Sequence, residues 1–447
     1  MFKGFGIFGG WWAETYPKIK ALCQAEQPDL IFADDLADAC VDVARDLDIP
    51  LAGMAPQLPP SMLQVPYVPG MPGYQLKHIT SEHASILDRI AEELCRIRIA
   101  FASGGAMGRI TGRNARSGPA KPKHLFFVNS FIGLEVPKEL PPMVRPVGPI
   151  LSEDISPLQD NPAIAEFLDT HKRVMFIAFG THIRTSKQRM QRIVQGVRAA
   201  MDDGLLDGAV WALKNASTIL NSPSEGRNGC SKDDFALEDL SRVLAGEDAR
   251  WLVDSWCPQR AILNHPSICL FMSHCGASST AEAAFHGVPV LTLAGYGDQF
   301  GHAMRLEAAG VALRLDKHSF TAQDVEAGTS EIVQDKDGMF ARNVLRLRRV
   351  AHANSQRKHL AAQMIEELLY DHELRFENPP RGREWEASGG DEITQTVGRG
   401  RVLRPAHLET CDMRMPWIKR NNLDLWALFP VCAPILTLAS WFGRSSR

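Results

Sequence analysis

Between Trp256 and Gln299 the chain gathers residue types able to hold a flat base and a diphosphate. The segment reads WCPQRAILNHPSICLFMSHCGASSTAEAAFHGVPVLTLAGYGDQ. Trp256 offers an aromatic face, and the amide of nearby Gln259 can read a base edge. An apolar run, Ile268 to Met272, follows Pro266 and reads as a buried strand. It empties into Ser273-His274-Cys275-Gly276-Ala277-Ser278-Ser279-Thr280, which opens a helix running through Phe285 and closed by Gly287. Val288-Pro289-Val290-Leu291 begins the next strand. A glycine-containing turn from strand to helix aims free backbone N–H groups and the positive end of a helix dipole at one spot, where phosphate binds. Ser278, Ser279 and Thr280 add hydroxyl donors, and His274 adds a donor at the strand's end.

Each piece alone has a plainer reading. A tryptophan near a proline packs, serines at a helix start cap it, and a strand–Gly–Ser–helix unit is a common fold element. The order and spacing of the whole argue for a site. They resemble the donor-binding signature of the family 1 UDP-glycosyltransferases. Trp256, Pro258, Gln259, His265-Pro266, His274, Gly276, Ser279, Glu282, Gly287-Val288-Pro289, Asp298 and Gln299 fall where that family has them. The resemblance implies that Trp256 stacks on uracil, Gln259 contacts the uridine and Glu282 accepts from the ribose hydroxyls. It implies that His274, Ser278, Ser279 and the backbone after Gly276 hold the diphosphate, and that Asp298 and Gln299 contact the sugar. Ser278 stands where the family usually has Asn, which predicts weaker donor binding.

The elements that must position these residues are α/β in pattern. The 447 residues suffice for two domains. Hydrophobic residues make up 45% and charged residues 23%, as in an ordinary globular chain. A net charge of −3 gives no polyanion-binding surface, so nucleic acid is not an expected partner. The nine cysteines are odd in number, scattered and never in a CxxC pair, which argues against a disulfide framework or a zinc site and for a reducing compartment. The opening MFKGFGIFGGWWAETYPK lacks a cleavage pattern, and its glycines follow no strand, so it reads as a packing segment and not a phosphate loop.

Pro28 to Ala33 reads as a strand ending at Asp34, Ala37 to Leu47 as a helix, and Ile49 to Ala52 as the start of a second strand. Asp34 thus sits at the carboxyl end of a parallel strand, where open α/β sheets place ligands, or else Asp34 or Asp35 caps the helix. Residues 55–80, rich in Pro, Met and Gly, read as a long loop able to line a cleft. Ser81 to Phe101 is amphipathic, with Ile86, Leu87, Ile90, Leu94 and Ile97 expected in the core. His124 to Ser130 is a further strand, and the proline-rich stretch 137–149 marks a boundary. Beyond it, Arg173 to Phe179 is a strand that meets a helix, Lys187 to Met201, through Gly180-Thr181. Ala209 to Leu213 and Arg250 to Val253 are strands, Glu307 to Val311 and Asp324 to Val333 helix and connector, and Asn343 to Leu369 a long helical region. Residues 215–235 and 385–401 are polar excursions.

Residues 425–442 carry no charge and lie between Lys419-Arg420 and Arg444, with Trp417, Trp426 and Trp441 near the ends. The run is short for a span of about 20 residues, and Pro430 and Pro434 would kink it. Membrane association through 423–442 is the expectation, with a buried C-terminal segment as the competitor.

The resemblance implies a GT-B fold of two facing, doubly wound Rossmann-like domains. Residues 1–150 form the acceptor-binding domain, 151–400 the UDP-sugar-binding domain, and 417–442 a hydrophobic segment. It implies transfer of a sugar, glucose by expectation, from a UDP-sugar to a hydroxyl of a lipophilic acceptor, with inversion and without metal or cofactor. The turn at Gly180 and Thr181 would then face the donor phosphate. The family's base is a histidine oriented by an aspartate; Asp34 matches the aspartate, and His78, His83 and His124 fall elsewhere in the pattern. The chain is expected to begin partway into the family's acceptor domain, which leaves that domain incomplete and the histidine without a counterpart. The competing expectation is a non-catalytic UDP-sugar-binding protein on the same fold. Either would sit in the cytoplasm or on the cytoplasmic side of a membrane.

Overall fold

The computed structural model describes residues 2–59, 79–91, 122–181, 185–214, 233–376 and 402–424, with positions 65, 67 and 94. Two parallel sheets organise them. The first has the order β1-β2-β3-β4, with β1 Ile31–Asp34, β2 Leu51–Ala55, β3 Leu125–Val128 and β4 Val144–Pro146. Helices α1 (Phe2–Glu26) and α2 (Asp38–Leu47) cover it, and Cys23, Ile31, Val43, Ala44 and Leu51 share one core. The opening segment therefore packs as expected: Trp12 Nε1 donates to Asp42 Oδ2 at 2.9 Å.

The second sheet runs β10-β9-β8-β5-β6-β7, with β5 Val174–Ala178, β6 Gly208–Ala212, β7 Trp251–Asp254, β8 Ile268–Ser273, β9 Val290–Thr292 and β10 Ala312–Arg314. Side chains of a strand alternate between faces, and a parallel sheet buries both. In β5, Val174, Phe176 and Ala178 join one core and Met175 and Ile177 the other. The helices of this unit are α3 (Pro162–Thr170), α4 (Lys187–Asp202), α5 (Asp233–Leu244), α6 (Gln259–Leu263), α7 (Ala277–His286), α8 (Gln299–Ala308), α9 (Ala322–Gln334) and α10 (Met339–Ser355). The order grows outward from β5 through β6 and β7, then returns to the other side of β5 at β8. That reversal leaves a crevice at the carboxyl ends of β5 and β8, the point where open sheets bind ligands.

Three expectations are corrected. The helical stretch begins after a 3-10 turn at Ser81–His83, and Ile86, Leu87, Ile90 and Leu94 are exposed rather than core. Periodicity marks an apolar face but not a partner for it, and no described element covers this one; Ile97 lies outside the described residues. The region Asn343–Leu369 is two helices: α10 ends at Ser355, and α11 (Lys358–Leu374) crosses to the first sheet, where Ala361 and Met364 pack with Ala52, Leu125 and Phe127. Glu307 belongs to a helix that already starts at Gln299 and ends before Gly310, whose φ is +72°. Residues 60–64, 215–232, 377–401 and the uncharged run 425–442 lie outside the described residues. Among the described residues, no helix is long and apolar enough to cross a membrane.

Helices α4 and α9 cross closely because Gly196 has no side chain. A Cβ there would come within 2.4 Å of the Ala322 carbonyl oxygen and 2.6 Å of Val325 Cβ. Backbone cannot yield as a flexible side chain can. Gly196→Ala is therefore expected to destabilise the fold by about 1–3 kcal/mol, the usual cost of overpacking. Chemical denaturation measures it; an unchanged midpoint would show that the two helices separate freely.

Candidate active site

The crevice is built on one tight arrangement. Strand β5 ends in Phe179-Gly180-Thr181, with Gly180 at φ +71° and both Gly180 and Thr181 exposed. Strand β8 ends in Ser273-His274, and Cys275, at φ +61°, turns the chain into α7 while its N–H donates to Ser273 Oγ at 3.1 Å. His274 is wedged between the two strand ends. A Cβ on Gly180 would lie 2.8 Å from its Nε2, and one on Gly276 only 2.5 Å away. Glycine is thus required at both positions if the imidazole is to keep its place. Burial pushes the His274 pKa below its ordinary value, against the Ala178 carbonyl and the Asp298 carboxylate, so the ring is neutral at pH 7. A neutral imidazole still has one N–H to donate.

Helix α7 begins at this spot. Its N-cap is Gly276, no side chain caps it, and the first intrahelical bond runs from Thr280 N–H to the Gly276 carbonyl at 2.9 Å. The N–H groups of Ala277, Ser278 and Ser279 precede that bond and, with the helix dipole, make an anion cradle beside His274. The serines are therefore not caps. Ser278 is exposed, while Ser279 and Thr280 are buried.

One helical turn on, Gln259 Nε2 donates to Glu282 Oε2 at 2.7 Å and to Ser279 Oγ at 3.1 Å. This joins α6 to α7 and turns Ser279 towards Gln259. Burial raises the Glu282 pKa, opposed by the Gln259 bond and by Arg260. Trp256 is 73% exposed. It follows β7, held by its N–H to Asp254 Oδ1 at 3.2 Å. The ring is not core packing; it is an open aromatic face on the rim that Gln259 and Glu282 share.

The loop after β9 presents Asp298. Gln299 is buried, and its Oε1 accepts from the N–H groups of Gly295 at 2.9 Å and Tyr296 at 3.1 Å. Its carbonyl thus braces the loop and leaves only its amide N–H groups for a ligand. Burial would raise the Asp298 carboxyl, but His302, a backbone amide and Arg305 outweigh it and hold the pKa below its ordinary value. His302 Nε2 faces Asp298 Oδ2 at 3.4 Å, and Arg305 follows one turn later. Arg305 Nη2 donates to Gln57 Oε1 at 2.7 Å, and Nη1 pairs with Glu135 Oε2 at 3.3 Å, both in the first unit. Sequence reasoning missed these four residues. The spacing Asp298, His302, Arg305 on one helix face was visible; the partners in the first unit were not.

Asp34 is exposed at the carboxyl end of β1, where its Oδ1 accepts from Leu36 N–H at 3.0 Å. Neither Asp34 nor Asp35 caps α2, whose N-cap is Ala37 without a side-chain bond. Among the described residues, no histidine hydrogen-bonds to Asp34. His124 lies at the opposite, amino end of β3, where burial lowers its pKa to about 4.

The model of the family described as UDP-glucoronosyl and UDP-glucosyl transferase matches residues 121–361. The chain belongs to the UDP-glycosyltransferase family. A UDP-glycosyltransferase of Aspergillus ustus is 44% identical over 99% of this chain and 81% of its own length. One from Talaromyces amestolkiae is 43% identical over 96% of this chain and 78% of its length. Among solved structures, a UDP-glucosyltransferase of Polygonum tinctorium matches with a TM-score of 0.56 and 19% identity, over 81% of each chain. UGT2 of Phytolacca americana, solved with UDP-2-fluoro-glucose and pterostilbene, gives 0.53 and 18%, over 79% of this chain and 78% of that one. The fold is GT-B. Like its relatives, the family member described here is a glycosyltransferase that uses a UDP-sugar, and the binding-only reading is not favoured.

Next to Asp34, burial and the Asp34 charge push Asp35 up to about 6. A carboxyl whose folded pKa exceeds its unfolded value binds more protons when folded, so stability falls as pH rises from about 4 to about 6. Partial exposure moderates the effect to about 1–2 kcal/mol. Asp35→Asn is expected to be more stable than the parent by that amount at pH 7, with the gap closing at pH 4. Urea denaturation at the two values tests this; a gap independent of pH would refute it.

Proposed function

We propose that this UDP-glycosyltransferase transfers glucose from UDP-glucose to a hydroxyl of a lipophilic small molecule, inverting the anomeric carbon in one displacement. The observation that carries the reading is His274, neutral and wedged between Gly180 and Gly276 beside an uncapped helix N-terminus. Fixed donors aimed at a leaving diphosphate stabilise the charge that develops as the glycosidic bond breaks. They do so without a metal, and no cofactor is proposed. Trp256 stacks on the uracil, Gln259 reads the uridine, and Glu282 takes the ribose hydroxyls. Ser278 and the N–H groups after Gly276 hold the diphosphate, with Thr181 on the facing strand end. Asp298 and the Gln299 amide take the sugar. Asp34 is the proposed orienting carboxylate for the base that draws the proton from the acceptor hydroxyl, because an alcohol is a poor nucleophile at neutral pH. The lipophilic acceptor is inferred from the Pro- and Met-rich stretch 55–80 and from pterostilbene in the Phytolacca americana complex.

Calorimetry with UDP, ADP and GDP tests the donor half, and mass spectrometry of products from UDP-glucose with phenolic and sterol acceptors tests the transfer. UDP is expected to bind best. Base–aromatic stacking is worth about 1–3 kcal/mol, so Trp256→Ala is expected to weaken UDP by about five- to hundredfold. The melting temperature should hold, because the ring is exposed. Equal affinities for the three nucleotides, or unchanged UDP binding by the variant, would refute the assignment.

A further inference from the structure

The polar chain behind Asp298 has a direction. Arginine can only donate. Arg305 Nη2 lies 2.8 Å from His302 Nδ1, so Nδ1 accepts and Nε2 carries the proton. Nε2 lies 3.4 Å from Asp298 Oδ2, within ion-pair range but without hydrogen-bond geometry. The contact is slack, which leaves the carboxylate room to settle between the imidazole and a ligand hydroxyl. On its other side the guanidinium meets Gln57, just past the carboxyl end of β2, and Glu135, in the loop after β3. His302 is 1% exposed and Glu135 3%. One run of polar and charged contacts therefore crosses from the first sheet's loops to the cleft face of the second.

The arrangement is poor as a device for stability. Two buried charges are costly to desolvate, and an apolar pair of the same volume is often as stable. Among the described residues, Glu135 Oε1, Arg305 Nε and His302 Nε2 have no hydrogen-bond partner, so the cost is not fully offset. What the charges do achieve is orientation. Glu135 and Gln57 hold the guanidinium, the guanidinium fixes the His302 tautomer, and His302 Nε2 faces the Asp298 carboxylate.

We propose that Glu135, Arg305 and His302 are positioning residues for the donor sugar, so that seating of the first unit against α8 sets the affinity for the hexose but not for the nucleotide. The inference rests on the reading of Asp298 as a sugar contact. None of the three residues need touch the donor, and Glu135 lies in the other sheet unit altogether.

The test is calorimetry of UDP and of whichever of UDP-glucose, UDP-galactose and UDP-N-acetylglucosamine binds the parent most tightly. The proteins are the parent, Glu135→Gln, and the double variant Glu135→Met with Arg305→Met, which removes both charges and preserves folding if Glu135→Gln alone does not. Each is made with and without Asp298→Asn, and melting temperatures are recorded. Losing one charge-assisted bond that aligns a sugar contact predicts about tenfold weaker UDP-hexose binding, with UDP within about twofold of the parent. On the Asp298→Asn background the same substitutions should change nothing further. A merely structural role would weaken UDP and UDP-hexose together, or add its loss on that background, and either result overturns the inference, as does unchanged UDP-hexose binding. Failure of the parent to bind UDP would remove the nucleotide reading itself, and this inference with it.

Discussion

Everything at this site depends on a reversal of strand order. Because β8 returns to the free side of β5 instead of continuing past β7, two loops diverge above neighbouring strands and leave a crevice. Few residues can occupy so narrow a space. Gly180 and Gly276 lack the Cβ that would collide with His274, and Cys275 takes the left-handed turn that brings α7 in at the right angle. The proposed anion binding rests on that geometry: an uncapped helix start, a neutral imidazole and a second strand end converge on one volume.

In the proposed assignment the nucleotide and sugar ends around this point are organised differently. The nucleotide end belongs to the second unit alone, with Gln259 tied to Ser279 and Glu282 across two helices and Trp256 standing open on the rim. The sugar end reaches both units. Asp298 opens α8, and the buried contacts from that helix to Gln57 and Glu135 tie the loop that presents it to the first sheet. Helix α11 adds a second tie by packing on β2 and β3 from the far end of the chain. A donor bound as proposed would be held by one unit at its base and by both at its sugar.

Much of this was legible in the sequence because it is local. Apolar runs bounded by proline and glycine marked β5 and β8, and the Gly-Ala-Ser-Ser turn marked the start of α7 within a residue. Residue types and spacing grouped Gln259, His274 and Gly276 as site candidates, whereas Glu282 and Asp298 joined them only through the family resemblance. Long-range packing was not legible. The periodicity of Ile86, Leu87, Ile90 and Leu94 describes one face of a helix and says nothing of what covers it. The break between Ser355 and Lys358 has no proline or glycine to announce it. Only its exposure removes the packing reading of Trp256. The helical spacing of Asp298, His302 and Arg305 is local, but the partner of Arg305, Glu135, lies 170 positions earlier in the chain.

The most direct test of the account is a crystal structure of the chain with UDP. The diphosphate is expected at the carboxyl ends of β5 and β8, accepting from His274 and from the backbone N–H groups of Ala277 and Ser278, with the uracil flat against Trp256. UDP bound anywhere else, or in the crevice with His274 swung clear of the phosphates, would contradict it.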